Sequence, residues 1–131
     1  MARHGRDDMS KALIAANLQL KRAYESPSAT DGKRVLIDRL WPRGVKKADA
    51  AIDYWFKELA PSTELRKRFG HDLARWDDFR RRFKTELRLH TEQIDRLRDM
   101  ARHGKVTLIY SAHDELHNDA VVLRDFLLDR E

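Results

Sequence analysis

Two short apolar runs constrain the fold more than any other feature of this sequence. Residues 34–38 and 105–110 are rich in β-branched and aliphatic side chains, and polar loop residues follow each run at once. Such runs are typical of strands that are buried on both faces, which occur mainly in parallel sheets. Between the two runs, apolar residues recur at helical spacing, which is expected because parallel strands are usually connected by a helix. The sequence therefore predicts an α/β fold with a small parallel or mostly parallel sheet covered by helices.

The remaining elements follow from periodicity and capping residues. Residues 17–24 alternate apolar and polar side chains, which predicts a further strand. Apolar residues at steps of three and four predict helices over residues 46–59, 62–69, 72–87, 91–103 and 118–128. Trp55 would lie on the buried face of the first of these helices, and Asp72 would cap the third and longest. The predicted order is strand, strand, helices, strand, helix.

Length and composition indicate one domain. A chain of 131 residues can bury a core without disulfides or metals, and this one has no cysteine, which excludes thiolate metal sites and cysteine nucleophiles. Residues 1–16 show no capping or alternation and predict a flexible N-terminal extension or a loose helix, followed by a single α/β domain at residues 17–131. The apolar stretch at residues 12–16 is too short for a signal peptide or a membrane span. We expect a cytoplasmic protein without a membrane partner, and the oligomeric state stays open.

The charge balance allows two classes of anionic partner. There are 27 Lys and Arg against 22 Asp and Glu, a net charge of +5. An anionic small molecule is one candidate. The other is nucleic acid, or a protein, bound by the basic run at residues 80–84 with Arg75. Acidic residues interrupt that run, which favours an ordinary solvated helix face.

The candidate site lies in the loops after the two apolar strands. Carboxyl ends of parallel strands meet at one edge of a sheet, where ligands bind in α/β proteins. The ligand-binding candidates in these loops are Asp38, Arg39, Trp41, Arg43, Ser111 and Asn118. Arginine forks and a helix N-terminus both favour an anion. The catalytic candidates are His117, which could move a proton, and Asp114, which could orient it. The sequence thus predicts an anion-binding pocket and leaves catalysis open.

Structural alternatives stand beside these roles. Asp38 could form an ion pair with Arg39 or Arg43, the Trp41-Pro42 pair could be a packed turn, and Asp114 and Asn118 are also good helix caps.

Several other chemistries lack support in the sequence. His113, Asp114 and His117 have spacings that could hold a metal, but no HExxH frame supports one and no metal site is predicted. His71 follows a glycine in a turn, where local hydrogen bonding is favoured over a site role. Ser111 lacks a nucleophile elbow. Neither GxGxxG nor a Walker A loop occurs, so no cofactor is predicted.

Four separated motifs carry a family resemblance. They are DRLWPRG at residues 38–44, LAPS at 59–62, FGH at 69–71 and YSAxDxxHNxA at 110–120. Over residues 17–128 the chain resembles the YeaO-like branch of the DUF488 family. The resemblance implies a site at the family-matching positions, which are Asp38, Arg39, Trp41, Arg43, Asp114, His117 and Asn118. His113 is less clearly part of the pattern, and no particular activity is implied.

Overall fold

A computed structural model describes residues 2–130, with side chains from residue 9 onward. Within this range, four strands form one sheet: β1 (Leu18–Arg22), β2 (Lys33–Leu36), β3 (Tyr54–Trp55) and β4 (Val106–Tyr110). The strand order is β1-β4-β2-β3, and every neighbouring pair is parallel. The predicted α/β class with a parallel sheet is confirmed. The terminal residues 1 and 131 of the predicted domain boundaries lie outside the described part of the chain.

β4 is the central strand of the sheet. Its Leu108 is in register with Leu20 of β1 and with Val35 of β2. All five residues of β4 are buried, and Val35, Leu36 and Ile37 have no exposed surface. Burial on both faces explains why these two strands appear in the sequence as continuous apolar runs instead of alternating ones.

Helices cover the sheet. Among residues 2–130 they are α1 (Ala2–Asn17), α2 (Lys47–Ala50), α3 (Thr63–Phe69), α4 (Trp76–Leu87), α5 (Thr91–His103) and α6 (Asp119–Leu127), with 3-10 turns at Ala29–Asp31, Lys57–Leu59 and Leu73–Arg75. The side chain of Ser62 caps α3 by accepting from the Leu65 amide, and Gly70 ends that helix at a φ of 54°. No helix within residues 2–130 combines the length and the apolar character that a membrane crossing needs.

The helix predicted over residues 46–59 is wrong. The segment contains only the one-turn helix α2 and the 3-10 turn at Lys57–Leu59, and α2 is capped by Ala51, whose φ of 50° is left-handed. The chain then forms β3, whose flanking amides of Asp53 and Phe56 donate to carbonyls of β2. Trp55 is therefore half-buried in a strand and not on a helix face. The apolar residues of this segment have helical spacing, but pairing with β2 overrides it, and a two-residue strand is too short to show a period of its own.

The helix predicted to begin at Asp72 starts later. Asp72 caps the 3-10 turn Leu73–Arg75 instead, and Leu73 is 58% exposed. At 12 residues α4 is shorter than α5, which has 13, so it is not the longest helix. The apolar stripe predicted for this helix, at residues 73, 76, 79, 83 and 87, is correct from Trp76 onward: Phe79, Phe83 and Leu87 are buried in the core, and Trp76 packs against it.

The first helix coincides with the predicted N-terminal extension. Ile14 is 2% exposed and belongs to the core, and the Asn17 side chain donates to the carbonyl of Ala101 on α5 at 2.7 Å. These contacts attach the last turns of α1 to the domain. The flexibility of residues 1–16 stays a prediction.

Candidate functional site

A cavity of about 780 Å³ opens at the carboxyl ends of β2 and β4. Residues 38–43 form one wall, and residues 111–113 and 117–119 form another. The third wall comes from α3 and its flanks, with Pro61, Arg66, Lys67, Phe69 and His71, while Tyr24 and Phe79 complete the lining. Because β2 and β4 are paired neighbours, the loops that leave them meet at one edge of the sheet.

Seven of the eight predicted site residues line this cavity. They are Asp38, Arg39, Trp41, Arg43, Ser111, His117 and Asn118. Asp114 is not in the lining, but its carboxylate contacts the ring of His117. The structure therefore brings together residues that are separated by more than seventy positions in the sequence.

Asp38 connects the two strand-end loops. Its Oδ2 accepts hydrogen bonds from the Ser111 amide at 2.9 Å and from the Ser111 hydroxyl at 2.6 Å. Its backbone carbonyl accepts from Nε1 of Trp55 at 2.6 Å. Within the described residues Asp38 forms no salt bridge with Arg39 or Arg43, so the ion-pair alternative is absent from this structure.

Asp119 is a cavity residue that the sequence reasoning missed. This half-buried first residue of α6 shares a hydrogen bond with Asp38. Burial raises the pKa of Asp119 well above its ordinary value, and the negative charge and hydrogen bond of Asp38 raise it further. The carboxyl pair therefore favours a proton on Asp119. An acid in the first turn of a helix is common, so its position alone gave no signal of this role.

Asp114 and His117 form a second hydrogen-bonded pair, between a carboxylate and an imidazole. Nδ1 of His117 lies 3.0 Å from Oδ2 of Asp114 and 3.2 Å from Oδ1. The backbone amides of Leu116 and His117 both donate to Asp114 Oδ1. The pKa of Asp114 is held below its usual value, first by the hydrogen bond from the Leu116 amide and then by those from the His117 amide and the His117 ring. Asp114 thus both stabilises the turn and orients the imidazole, which leaves Nε2 as the ring nitrogen available to a ligand.

Two other predicted residues are held by local structure. Both ends of the Asn118 amide are occupied, because Oδ1 accepts from Val121 and Nδ2 donates to the carbonyl of Asp114. Asn118 therefore caps α6. Trp41 donates from Nε1 to the carbonyl of Val45 at 2.6 Å and packs edge-on against Trp55. The 41–45 turn is consequently fixed by packing, and Trp41 still reaches the cavity.

Four exposed cations line the cavity without carboxylate partners. Arg39, Arg43, Arg66 and Lys67 form no salt bridge among the described residues. Arg39 donates to the carbonyl of Pro61 at 3.3 Å, and the carbonyl of Arg43 accepts from the Tyr24 hydroxyl. Arg66 and Lys67 lie in the last turn of α3, where cations are common, so no sequence pattern indicated their position on the cavity wall.

The histidines do not converge on one point. His113 is exposed, with Nδ1 3.5 Å from Nη2 of Arg22, whereas Nδ1 of His117 faces Asp114. Among residues 2–130 no group of three His, Cys, Asp or Glu side chains is placed to hold a metal ion. His71 lines the cavity with a φ of 57°, a backbone conformation that is uncommon for residues other than glycine.

Comparison with known proteins gives the family. A family model described as the inactive DUF488-N3 subclade matches residues 17–131. The chain belongs to the DUF488 family. It is 47% identical to "Uncharacterized protein YeaO" of Escherichia coli over 111 residues, which cover 85% of this chain and 96% of that relative. It is 34% identical to "Uncharacterized protein Rv3073c" of Mycobacterium tuberculosis over 113 residues, covering 86% of this chain and 95% of that relative. No solved structure matches.

The basic face of α4 differs from the cavity in this DUF488 chain. The Asp78 carboxylate accepts from Arg68 at 2.9 Å, from Arg81 at 3.1 Å and from Arg82 at 2.9 Å. Hydrogen bonds from Arg68 and Arg82 lower the pKa of Asp78 to about 2. Part of the positive charge of this face is therefore compensated internally, and its role in binding nucleic acid stays a prediction.

Proposed function

We propose that this DUF488-family protein binds a small anionic ligand in the cavity at the carboxyl ends of β2 and β4. The observation that carries the proposal is the set of four cavity cations that lack a carboxylate partner among residues 2–130. Cations on a concave, partly apolar wall concentrate the positive potential and raise the local concentration of anions. The cavity volume of about 780 Å³ also suits a small molecule.

The cations have complementary chemistry. Arg39 and Arg43 leave the same strand-end loop, and their planar guanidinium groups can each contact two oxygens of a phosphate or carboxylate. Arg66 and Lys67 approach from α3, and Lys67 supplies a compact point charge. An anion between the loop and α3 would therefore contact cations from two elements of the fold.

The salt bridges of the cations favour the cavity over the α4 face as the anion-binding site. Asp78 already contacts three arginines on that face, so an incoming anion would compete with an internal counter-ion. No such competitor contacts the cavity cations among the described residues. We therefore rank nucleic-acid or protein binding by residues 80–84 below ligand binding in the cavity.

His117 adds a hydrogen-bonding group to this proposal. Its Nδ1 is oriented by Asp114, so Nε2 can face a ligand. The family description as an inactive subclade favours binding over turnover. The Ser111 hydroxyl donates to Asp38, and no histidine forms a hydrogen bond with it among the described residues. A reducing cytoplasm is the compartment that we propose, since a chain without cysteine needs no oxidising environment.

Titration calorimetry with inorganic phosphate tests the proposal. Phosphate should bind the wild-type protein, and Arg43→Ala should weaken binding about tenfold, as expected for the loss of one charge-assisted contact worth ~1.4 kcal/mol. Arg88→Ala is the matched control, because Arg88 is an exposed arginine outside the cavity lining. Equal losses for the two variants, or no heat of binding in the wild type up to high phosphate concentration, would contradict the proposal.

A further inference from the structure

The cavity is larger and chemically more varied than a simple inorganic anion requires. Its volume of about 780 Å³ falls within the roughly 300–1,000 Å³ that is typical of sites for organic ligands. A phosphate or sulfate ion would fill only a small part of this space. The rest of the cavity must therefore suit the remainder of a larger molecule, and its lining indicates what that remainder contains.

The cavity lining carries two kinds of charged group. One is the set of four cations Arg39, Arg43, Arg66 and Lys67. The other is the Asp38–Asp119 pair, in which Asp38 directly precedes Arg39 in the same loop. A phosphate group would be attracted by the cations and repelled by the carboxyl pair, so a ligand with one anionic end would place that end on the cations.

The carboxyl pair keeps capacity to accept hydrogen bonds. Both protein donors to Asp38, the amide and the hydroxyl of Ser111, bind Oδ2. Asp119 accepts from the Ala120 amide through Oδ1. The hydrogen bond between Asp119 and Asp38 uses one further position. A carboxylate offers about four acceptor positions, so the pair still has acceptor positions unused. Hydroxyl groups of a ligand fit such positions because each can donate one bond and carries no charge.

The cavity lining also contains aromatic rings. Tyr24 is 49% exposed, and its hydroxyl is held by the carbonyl of Arg43. Trp41 is fixed by its bond to Val45 and reaches the same cavity. Rigid amphipathic rings of this kind can pack against the C–H faces of a carbon skeleton at little entropic cost.

From this set of lining groups we infer that the ligand is a phosphate monoester on a hydroxyl-bearing carbon skeleton, with the phosphate bound by the cavity cations and the hydroxyl groups bound by the Asp38–Asp119 pair. Sugar phosphates and nucleoside monophosphates share this chemistry. The inference rests on the proposed anion binding, and it adds the requirement for hydroxyl groups.

Calorimetry with matched probes tests this requirement. The probes are ribose 5-phosphate, n-butyl phosphate, ribose and adenosine 5′-monophosphate. Ribose 5-phosphate should bind at least about tenfold tighter than n-butyl phosphate, a difference of ~1.4 kcal/mol, and ribose alone should not bind measurably. Adenosine 5′-monophosphate distinguishes the two sources, because tighter binding than ribose 5-phosphate assigns a nucleotide and weaker binding assigns a sugar phosphate.

Variants assign the preference to the carboxyl pair. Asp119→Ala should remove the advantage of ribose 5-phosphate over n-butyl phosphate while leaving n-butyl phosphate binding intact or slightly tighter. Asp95→Ala is the matched control, because Asp95 is an exposed acid on α5 outside the cavity lining. Arg43→Ala should weaken both phosphates by the same factor. If Asp119→Ala does not fold, Asp119→Asn and the wild-type probe series provide the same comparison.

The outcomes separate the two proposals. Equal affinity of the wild type for ribose 5-phosphate and n-butyl phosphate overturns this inference and leaves anion binding standing. Binding of ribose as tight as that of ribose 5-phosphate overturns both, and so does the absence of binding for all four probes. An unchanged preference for ribose 5-phosphate in Asp119→Ala removes the assignment to the carboxyl pair.

Discussion

Ser111→Ala should destabilise the protein by removing one of the two hydrogen bonds from Ser111 to Asp38 that join the cavity loops. The substitution removes the hydroxyl that donates to Asp38 Oδ2 at 2.6 Å and keeps the amide that donates to the same atom at 2.9 Å. A hydrogen bond to a charged group contributes about 1.5–3 kcal/mol. Asp38 is half-buried, so water can replace part of the lost bond, and we expect a loss of about 1–2 kcal/mol.

Urea denaturation followed by circular dichroism measures this loss. The midpoint should fall while the slope of unfolding free energy against urea stays unchanged, because the same surface is exposed on unfolding. For a domain of this size, the melting temperature should fall by roughly 3–8 °C. Ser26→Ala is the matched control, since Ser26 is exposed in the loop before β2. A midpoint for Ser111→Ala equal to that of the control would refute the structural role of this bond.

Three other substitutions test the remaining electrostatics and the core. The pKa of Asp119 is raised, so the folded state keeps a proton that the unfolded state loses near pH 3.8. The free energy of unfolding should therefore fall as pH rises above that value. Asp119→Asn should flatten this fall, as measured by urea titrations at several pH values. The pKa of Asp78 is lowered to about 2, so the stabilisation from its carboxylate is present above pH 3.8 and is lost as pH falls toward 2. Asp78→Asn should flatten the acid end of the curve of unfolding free energy against pH. Phe83→Ala should cost about 3–5 kcal/mol, because Phe83 is fully buried; a loss below 1 kcal/mol would contradict its core position.

Contact between His117 and the anion is a separate expectation of the proposed function. Nε2 of His117 is the ring nitrogen that remains available to a ligand, so His117→Ala should weaken sulfate binding. Arg43→Ala should also weaken sulfate binding, because it removes a permanently charged guanidinium from the cavity. Calorimetry with sulfate measures both effects, and a His117→Ala affinity equal to that of the wild type would remove His117 from the binding step.

The sequence predicted the parts of the fold that depend on continuous apolar runs and on caps. β2, β4, the Ser62 cap and the inward residues of α5 all follow from local patterns. β3 could not be predicted in this way, because two residues carry no period and the strand exists only through pairing with β2. Its neighbour α2 is too short to distinguish from a turn.

The candidate site follows the same division. Residues that leave the two apolar strands could be assigned to one edge of the sheet, because parallel pairing of β2 and β4 requires their loops to meet. Three other cavity residues could not be assigned in this way, because each is common at its position in its own helix: Asp119, Arg66 and Lys67. Their place in the cavity depends on how α3 and α6 pack across the sheet, which no local pattern encodes.

A crystal structure of the protein soaked with phosphate tests the central claim most directly. Phosphate should lie in the cavity at the ends of β2 and β4, with hydrogen bonds from Arg43 and from at least one of Arg39, Arg66 and Lys67. Sulfate should occupy the same position. Phosphate found only on the α4 face beside Arg81 and Arg82, with the cavity empty, would contradict anion binding at this site and favour the basic helix.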